Sequence, residues 1–213
     1  MNIRKEAFGE LSTGEKVTRF ILGNDSGLTI SAIDYGAILT SVVFPDRNGN
    51  PGEITLGFDS IDGYEGENPY FGATIGRYAN RISGPGFSLA GQTYSLAGND
   101  SGVHLHGGEA GFNRKMWSAE VEAETERGEI RFHRTSPDGE EHYPGNLEVT
   151  VSFILSEDNT FSFEYSATTD KYTPVNMTNH TYWNLAGPGT PVYDHLLTIH
   201  ADSYLEVNEK LIP

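Results

Sequence analysis

The chain has 213 residues, 37% of them apolar, with 11 Phe, 11 Tyr and 2 Trp, enough aromatic bulk to bury a core. Its formal net charge is −16 and it carries only 14 Lys and Arg, a field that repels phosphate backbones and anionic lipid heads and so argues against nucleic acid and membrane partners. It contains no cysteine, which excludes disulfides, thiolate nucleophiles and Cys-ligated zinc.

Residues 18–22 read as a strand, closed by the turn Gly23-Asn24-Asp25-Ser26-Gly27. Residues 28–33 and 37–44 follow, both rich in β-branched side chains and bounded by turn formers. The run Pro45-Asp46-Arg47-Asn48-Gly49-Asn50-Pro51-Gly52 predicts a hairpin tip. Residues 53–58 predict a short strand and residues 60–64 a single helical turn. A polar loop, 65–69, leads into 70–82. Residues 87–89 and 93–96 predict a small hairpin through Ala90-Gly91-Gln92, and 117–121 with 129–133 predict a strand pair. The clearest alternation is Leu147, Val149, Val151, Phe153 and Leu155, with Glu148, Thr150 and Ser152 between them, a strand with one dry face. After the turn at Asp158-Asn159, Phe161, Phe163, Tyr165 and Ala167 alternate with polar residues, so the two runs should pair. Residues 174–185 and 196–200 continue the strand pattern.

No helical periodicity exceeds about two turns, and no repeat or linker interrupts the chain. The expectation is an all-β protein, one large antiparallel β-sandwich domain spanning residues 1–213. Residues 206–213 form neither a polar tail nor a closing strand, so the sandwich is expected to be incomplete at its C-terminus. No window approaches the ~18–20 apolar residues of a membrane span, and residues 1–9 lack the apolar core of a signal peptide. A cytoplasmic protein is expected.

Three stretches carry polar groups that an ordinary core would not want: 76–82, 103–108 and 175–185. In the second, His104 and His106 stand two residues apart, and on an extended backbone both imidazoles project from one face. Gly107 and Gly108 then let the chain turn sharply, and Asn99-Asp100-Ser101-Gly102 ahead of them is a turn cluster. Arg81 supplies a fork of donors, while Asn80 both donates and accepts. Aromatic faces stack on the apolar face of a sugar ring, and imidazole gains or loses a proton near neutral pH. The combination suits a neutral polyhydroxy ligand undergoing proton transfer. His104 reads either as a ligand contact or as a packed neighbour. Arg77 reads as structural, and Trp117 and Trp183 as core residues, Trp183 being close enough to His180 to touch the site. His133, His142, His195 and His200 read as structural or solvated.

Together the three stretches resemble the aldose 1-epimerase (galactose mutarotase) family. Asn80-Arg81-Ile82, followed by Gly86-Phe87 and Tyr94-Ser95-Leu96, is similar to its first signature. Asn99 with Leu105-His106-Gly107-Gly108, Gly111-Phe112-Asn113 and Trp117 is similar to its second. Asn179-His180-Thr181-Tyr182-Trp183-Asn184-Leu185 is similar to its third. The resemblance implies a galactose mutarotase-like supersandwich that interconverts the α and β anomers of galactose, glucose and related aldoses by ring opening, with neither cofactor nor metal. It implies His180 as the general acid at the ring oxygen and His106 as a second imidazole polarising the same region. It implies Asn80 and Arg81 as binders of sugar hydroxyls, with Tyr182 beside His180 in the site.

The family's general base is a glutamate near the C-terminus, after a further substrate-binding aspartate, and complete members are longer than this chain. Glu109, Glu141, Asp194 and Asp202 lie outside that base motif, so the chain alone is expected to lack most of the activity. Two other readings fit the residues. His104-x-His106 followed by Glu109 suggests a cupin-like two-histidine, one-carboxylate metal site, although that spacing is short and no second cupin motif follows. A sandwich without the base also fits a non-catalytic sugar-binding or regulatory module. The preferred aldose and the oligomeric state are not legible in the sequence.

Overall fold

The structure, a computed structural model, describes residues 1–100 and 102–213. The first five strands form an antiparallel sheet in chain order: β1 (Asn2–Glu10), β2 (Lys16–Gly23), β3 (Thr29–Ile33), β4 (Ile38–Pro45) and β5 (Pro51–Glu53). After the short helix α1 (Ile61–Glu65) come β6 (Thr74–Ile75), β7 (Arg81–Ile82), β8 (Gly86–Leu89), β9 (Gln92–Ser95) and β10 (His104–Leu105). Strands β8 and β9 form the expected hairpin, and β7 pairs with β10. A second antiparallel sheet follows, β11 (Ser118–Ala123), β12 (Arg127–Ser136), β13 (Leu147–Ser156) and β14 (Phe161–Thr169), again in chain order. Finally β15 (Thr178–Asn179) returns to pair with β6.

The dry faces of the two large sheets meet in one core. Phe20, Leu22, Ile30 and Leu39 from the first pack with Ile130, Phe132, Val149, Val151 and Phe153 from the second. Each such side chain contributes roughly 1.5–3 kcal/mol on burial. The rings of Phe132 and Phe153 meet edge-on with centroids 5.4 Å apart, the geometry their quadrupoles favour. Trp117 belongs to this core as expected, donating its indole N–H to the Phe112 carbonyl at 3.2 Å. A second apolar cluster holds Ile33, Ile38 and Ile75 and anchors α1 through Ile61 and Tyr64.

Five departures from the sequence reading stand out, and the first two have local causes. Strand β1 carries mostly exposed residues and lies at a sheet edge, so no apolar alternation announces it. The strand expected over 53–58 stops at Glu53 because that carboxylate bends back to take the N–H groups of Val42 (3.0 Å) and Thr55 (2.9 Å), bonds a ladder would otherwise use. Within 174–185 the regular pairing is confined to β15, with single bridges Tyr78–Asn176 and Thr55–Trp183. Residues 196–200 adopt no regular structure, and Leu196 and Ile199 stand in solvent. Trp183 is likewise not a core residue, being 45% exposed. Among the described residues no helix is long and apolar enough to cross a membrane.

Candidate active site

Pairing of β7 with β10 sets Leu105 opposite Arg81, which brings His106 beside Asn80. At that point the strand conformation ends: φ is +53° at His106 and +66° at Asn80. Left-handed backbone at a non-glycine residue costs on the order of 1 kcal/mol and persists where neighbours over-determine it. Here the two residues hold each other. His106 N–H donates to the Asn80 carbonyl at 3.1 Å, and Asn80 N–H donates to His106 Nδ1 at 3.0 Å. With Nδ1 accepting, the neutral ring carries its proton on Nε2.

This break in alternation corrects the expectation that His104 and His106 share a face. His104 is buried, with its Nδ1 on the Ala97 carbonyl at 2.9 Å and its Nε2 on the Tyr143 hydroxyl at 2.7 Å. A carbonyl only accepts, so Nδ1 donates there and Nε2 accepts from the phenol. Burial holds this imidazole below the ordinary histidine range. Both nitrogens being engaged, His104 is a packed residue, and the cupin-like reading that needed it as a metal ligand fails with it. Glu109, the carboxylate of that reading, faces solvent.

The loop after His106 is gripped from two sides. The Asn99 side-chain amide donates to the carbonyls of Leu105 (3.0 Å) and Gly108 (2.8 Å), while its oxygen accepts the Leu105 N–H at 2.7 Å. The Glu141 carboxylate accepts the N–H groups of Glu109 (2.9 Å) and Ala110 (3.1 Å). Glycine at 108 is required twice over, because φ is +107° and a Cβ would fall on the Glu141 carboxylate.

His180 reaches the same place from β15. Its backbone N–H donates to the Ala73 carbonyl at 2.9 Å, and its carbonyl accepts Gly72 N–H at 3.2 Å. The His180 ring lies 5.0 Å from the His106 ring at 90°. Tyr70 packs against both, with centroids 4.8 Å from His106 and 5.6 Å from His180. Tyr182 lies 5.4 Å from His180 and 5.0 Å from Phe71, so an aromatic wall shelters the imidazole pair. Burial lowers the pKa of His180, and burial, then the charges of His180 and Arg81, bring His106 down to about 4. At neutral pH the pair is therefore uncharged, His106 offering Nε2–H as a donor and His180 poised to exchange a proton.

Arg81 donates from Nε (3.0 Å) and Nη2 (2.8 Å) to Asp100 Oδ2. Its charge acts on both His106 and Tyr70. Asn80 is exposed beside it. A hollow of about 480 Å³ is lined by Asn80 and Arg81 together with Tyr78, Phe87, Leu89 and Asn176, and neither imidazole lines it. Arg77, by contrast, is a structural residue, fully buried, its guanidinium bonded to the carbonyls of Ser136, Pro137, Pro144 and Gly145.

Asn80, Arg81, His106, His180 and Tyr182 are thus neighbours in space. The sequence reading missed Tyr70, Asp100 and Glu141. Tyr70 follows a polar loop, Asp100 reads as a turn former and Glu141 as one acid among many, and only the fold brings Tyr70 to the imidazoles, Asp100 to Arg81 and Glu141 to the loop after His106.

A family profile described as Aldose 1-epimerase matches residues 18–213. Galactose mutarotase of Bos taurus is 42% identical over 215 aligned positions, covering 100% of this chain and 61% of that protein. Aldose 1-epimerase of Escherichia coli (strain K12) is 40% identical, covering 94% of this chain and 57% of that one. The crystal structure of a GalM/aldose epimerase homologue from C. elegans superposes with a TM-score of 0.84 at 33% identity, over 91% of this chain and 58% of the other. Galactose 1-epimerase from Lactobacillus acidophilus gives 0.78 at 28% identity, over 87% and 54%. The chain spans about three fifths of the length of the curated relatives it matches. Matched by the profile over most of its length, the chain belongs to the aldose 1-epimerase family.

Proposed function

We propose that the His106–His180 pair receives an aldose ring and carries the acid half of an anomer interconversion, with galactose- or glucose-type sugars as substrates. The observation that carries this reading is the perpendicular imidazole contact at 5.0 Å, with Nδ1 of His106 sealed by the Asn80 N–H. That seal leaves His106 Nε2–H free to donate to the ring oxygen. His180, neutral at rest, takes up a proton from solvent and delivers it to the same oxygen as the bond from that oxygen to C1 breaks, and a base takes the proton of the anomeric hydroxyl. Rotation about C1–C2 and the reverse transfers close the ring on the other face, so protons balance over the cycle. A positioned acid contributes about 10²–10⁴-fold.

The base is assigned, by family resemblance, to a glutamate outside residues 1–213. Asp100, the carboxylate whose charge reaches His106, is already engaged by Arg81. Asn80 and Arg81 bind sugar hydroxyls, and Tyr182 offers its exposed face beside His180. The two sheets share one core, which supports reading residues 1–213 as one β-sandwich domain, and the cytoplasmic location expected from the sequence is compatible with a chain that has no cysteine.

The experiment is a galactose titration of this chain followed on the histidine ring signals by NMR, paired with polarimetry of mutarotation. Galactose is expected to shift the His106 and His180 signals. Replacing His180→Ala should remove whatever rate the chain has while changing affinity little. Signals that ignore galactose, or a rate untouched in His180→Ala, refute the proposal. A change in affinity alone points to a binding module instead.

A further inference from the structure

We propose that Asp100 is a positioning residue: from the turn ahead of β10 it fixes the Arg81 guanidinium, so that Arg81 meets a bound sugar with its remaining N–H groups already aimed. The inference rests on the reading of Arg81 as a sugar-hydroxyl binder. Nε and Nη2 of Arg81 both donate to one oxygen, Asp100 Oδ2, at 3.0 and 2.8 Å. One edge of the planar fork is therefore occupied and the Nη1 donors remain. The side chains are 19% and 35% exposed, so the pair is partly sheltered while its outer edge stays within reach of a ligand.

Two further observations separate this pair from an ordinary surface ion pair, which contributes little. Asp100 is tied to Val103, just ahead of β10, by backbone hydrogen bonds. Asn99 N–H (3.1 Å) and Asp100 N–H (3.0 Å) both donate to the Val103 carbonyl, and Val103 N–H returns to the Asp100 carbonyl at 2.9 Å. The same turn, through Asn99, grips the loop that carries His106. Arg81 and His106 are thus held by adjacent residues of one turn, and the carboxylate offsets at His106 the charge that Arg81 brings. An unanchored arginine loses rotamer freedom when a ligand orders it, whereas one already ordered by Asp100 does not.

The test compares this chain with Asp100→Asn, Arg81→Gln and the double variant, titrating galactose by NMR and recording the Arg81 Nε–H signal. Asp100→Asn is expected to broaden that signal and to weaken galactose about tenfold, the scale of one charge-assisted hydrogen bond. The weakening should vanish in the Arg81→Gln background. A sharp Nε–H signal with unchanged affinity overturns the proposal. So does an equal loss in the Arg81→Gln background, since Asp100 would then act on the sugar or the fold directly. If the unsubstituted chain ignores galactose, the functional reading fails alone, and the Nε–H comparison still decides for or against Asp100.

Discussion

Acidification from about pH 8 to about pH 5 is expected to weaken this fold, with His106 as the group to follow. An unfolded histidine titrates near ~6.5, whereas burial, then His180 and Arg81, hold His106 down to about 4. Between those values the unfolded chain binds a proton that the native site refuses. Stability therefore rises with pH across the window and is lost as pH falls through ~6.5 toward 4. For a fully sheltered ring the linkage gives ~2 kcal/mol between about pH 8 and pH 5. His106 is partly exposed, and solvent screening reduces this to ~1 kcal/mol. The assay is a set of urea midpoints across that range for the unsubstituted chain and for His106→Gln, which keeps an amide within reach of the Asn80 N–H and does not titrate. The unsubstituted chain should lose ~1 kcal/mol more than the variant. His104 and His180, also held low by burial, act with the same sign in both proteins and cancel. Parallel pH profiles for the two proteins refute the picture of a neutral, sheltered imidazole beside His180.

Two substitutions probe the scaffold around the site. Arg77→Met leaves the buried carbonyls of Ser136, Pro144 and Gly145, and the part-buried carbonyl of Pro137, without this donor. It should cost ~3–5 kcal/mol in chemical denaturation, with Arg77→Lys failing to restore it, because one ammonium does not span the fork. Gly108→Ala sets a Cβ against the Glu141 carboxylate at φ +107°. It should cost ~1–3 kcal/mol and speed amide exchange at Glu109 and Ala110, whose N–H groups donate to Glu141, and unchanged exchange there shows that the clamp is not what holds the loop.

The parts of the fold that were legible in the sequence are those where a strand has one dry face. Leu147 to Leu155 alternates because the odd-numbered side chains enter the shared core, and it pairs with Phe161–Thr169 as expected. Strand β1 was invisible because an edge strand with wet faces carries no period. Residues 53–58 misled because a side chain, Glu53, took over hydrogen bonds that a ladder would have made. Trp183 and Leu196 misled in another way: their apolar character announces burial, and among the described residues both are exposed. At the site, residue types were legible and their arrangement was not. Three polar stretches announced Arg81, His106 and His180, yet nothing in their spacing placed the two imidazoles at right angles, set Tyr70 against both, or drew Asp100 onto Arg81.

The place where the pattern failed has one physical cause. Tyr70, Asn80 and His106 all adopt positive φ, at +62°, +66° and +53°, and all stand at the imidazole pair. His106 ends β10, Asn80 stands just ahead of β7 and Tyr70 lies in the loop before β6, and each is held by hydrogen bonds that repay the strain, Tyr70 through its N–H on the Asn68 side-chain oxygen at 2.9 Å. Had alternation continued through Leu105, His104 and His106 would face one way, and no backbone N–H would seal Nδ1. The left-handed step separates them, sending one histidine into the interior to bond Tyr143 and turning the other toward His180 with its donor on Nε2. A chemically competent imidazole here depends on a backbone that departs from strand geometry, so the period of the sequence locates the scaffold, and the break in that period locates the chemistry.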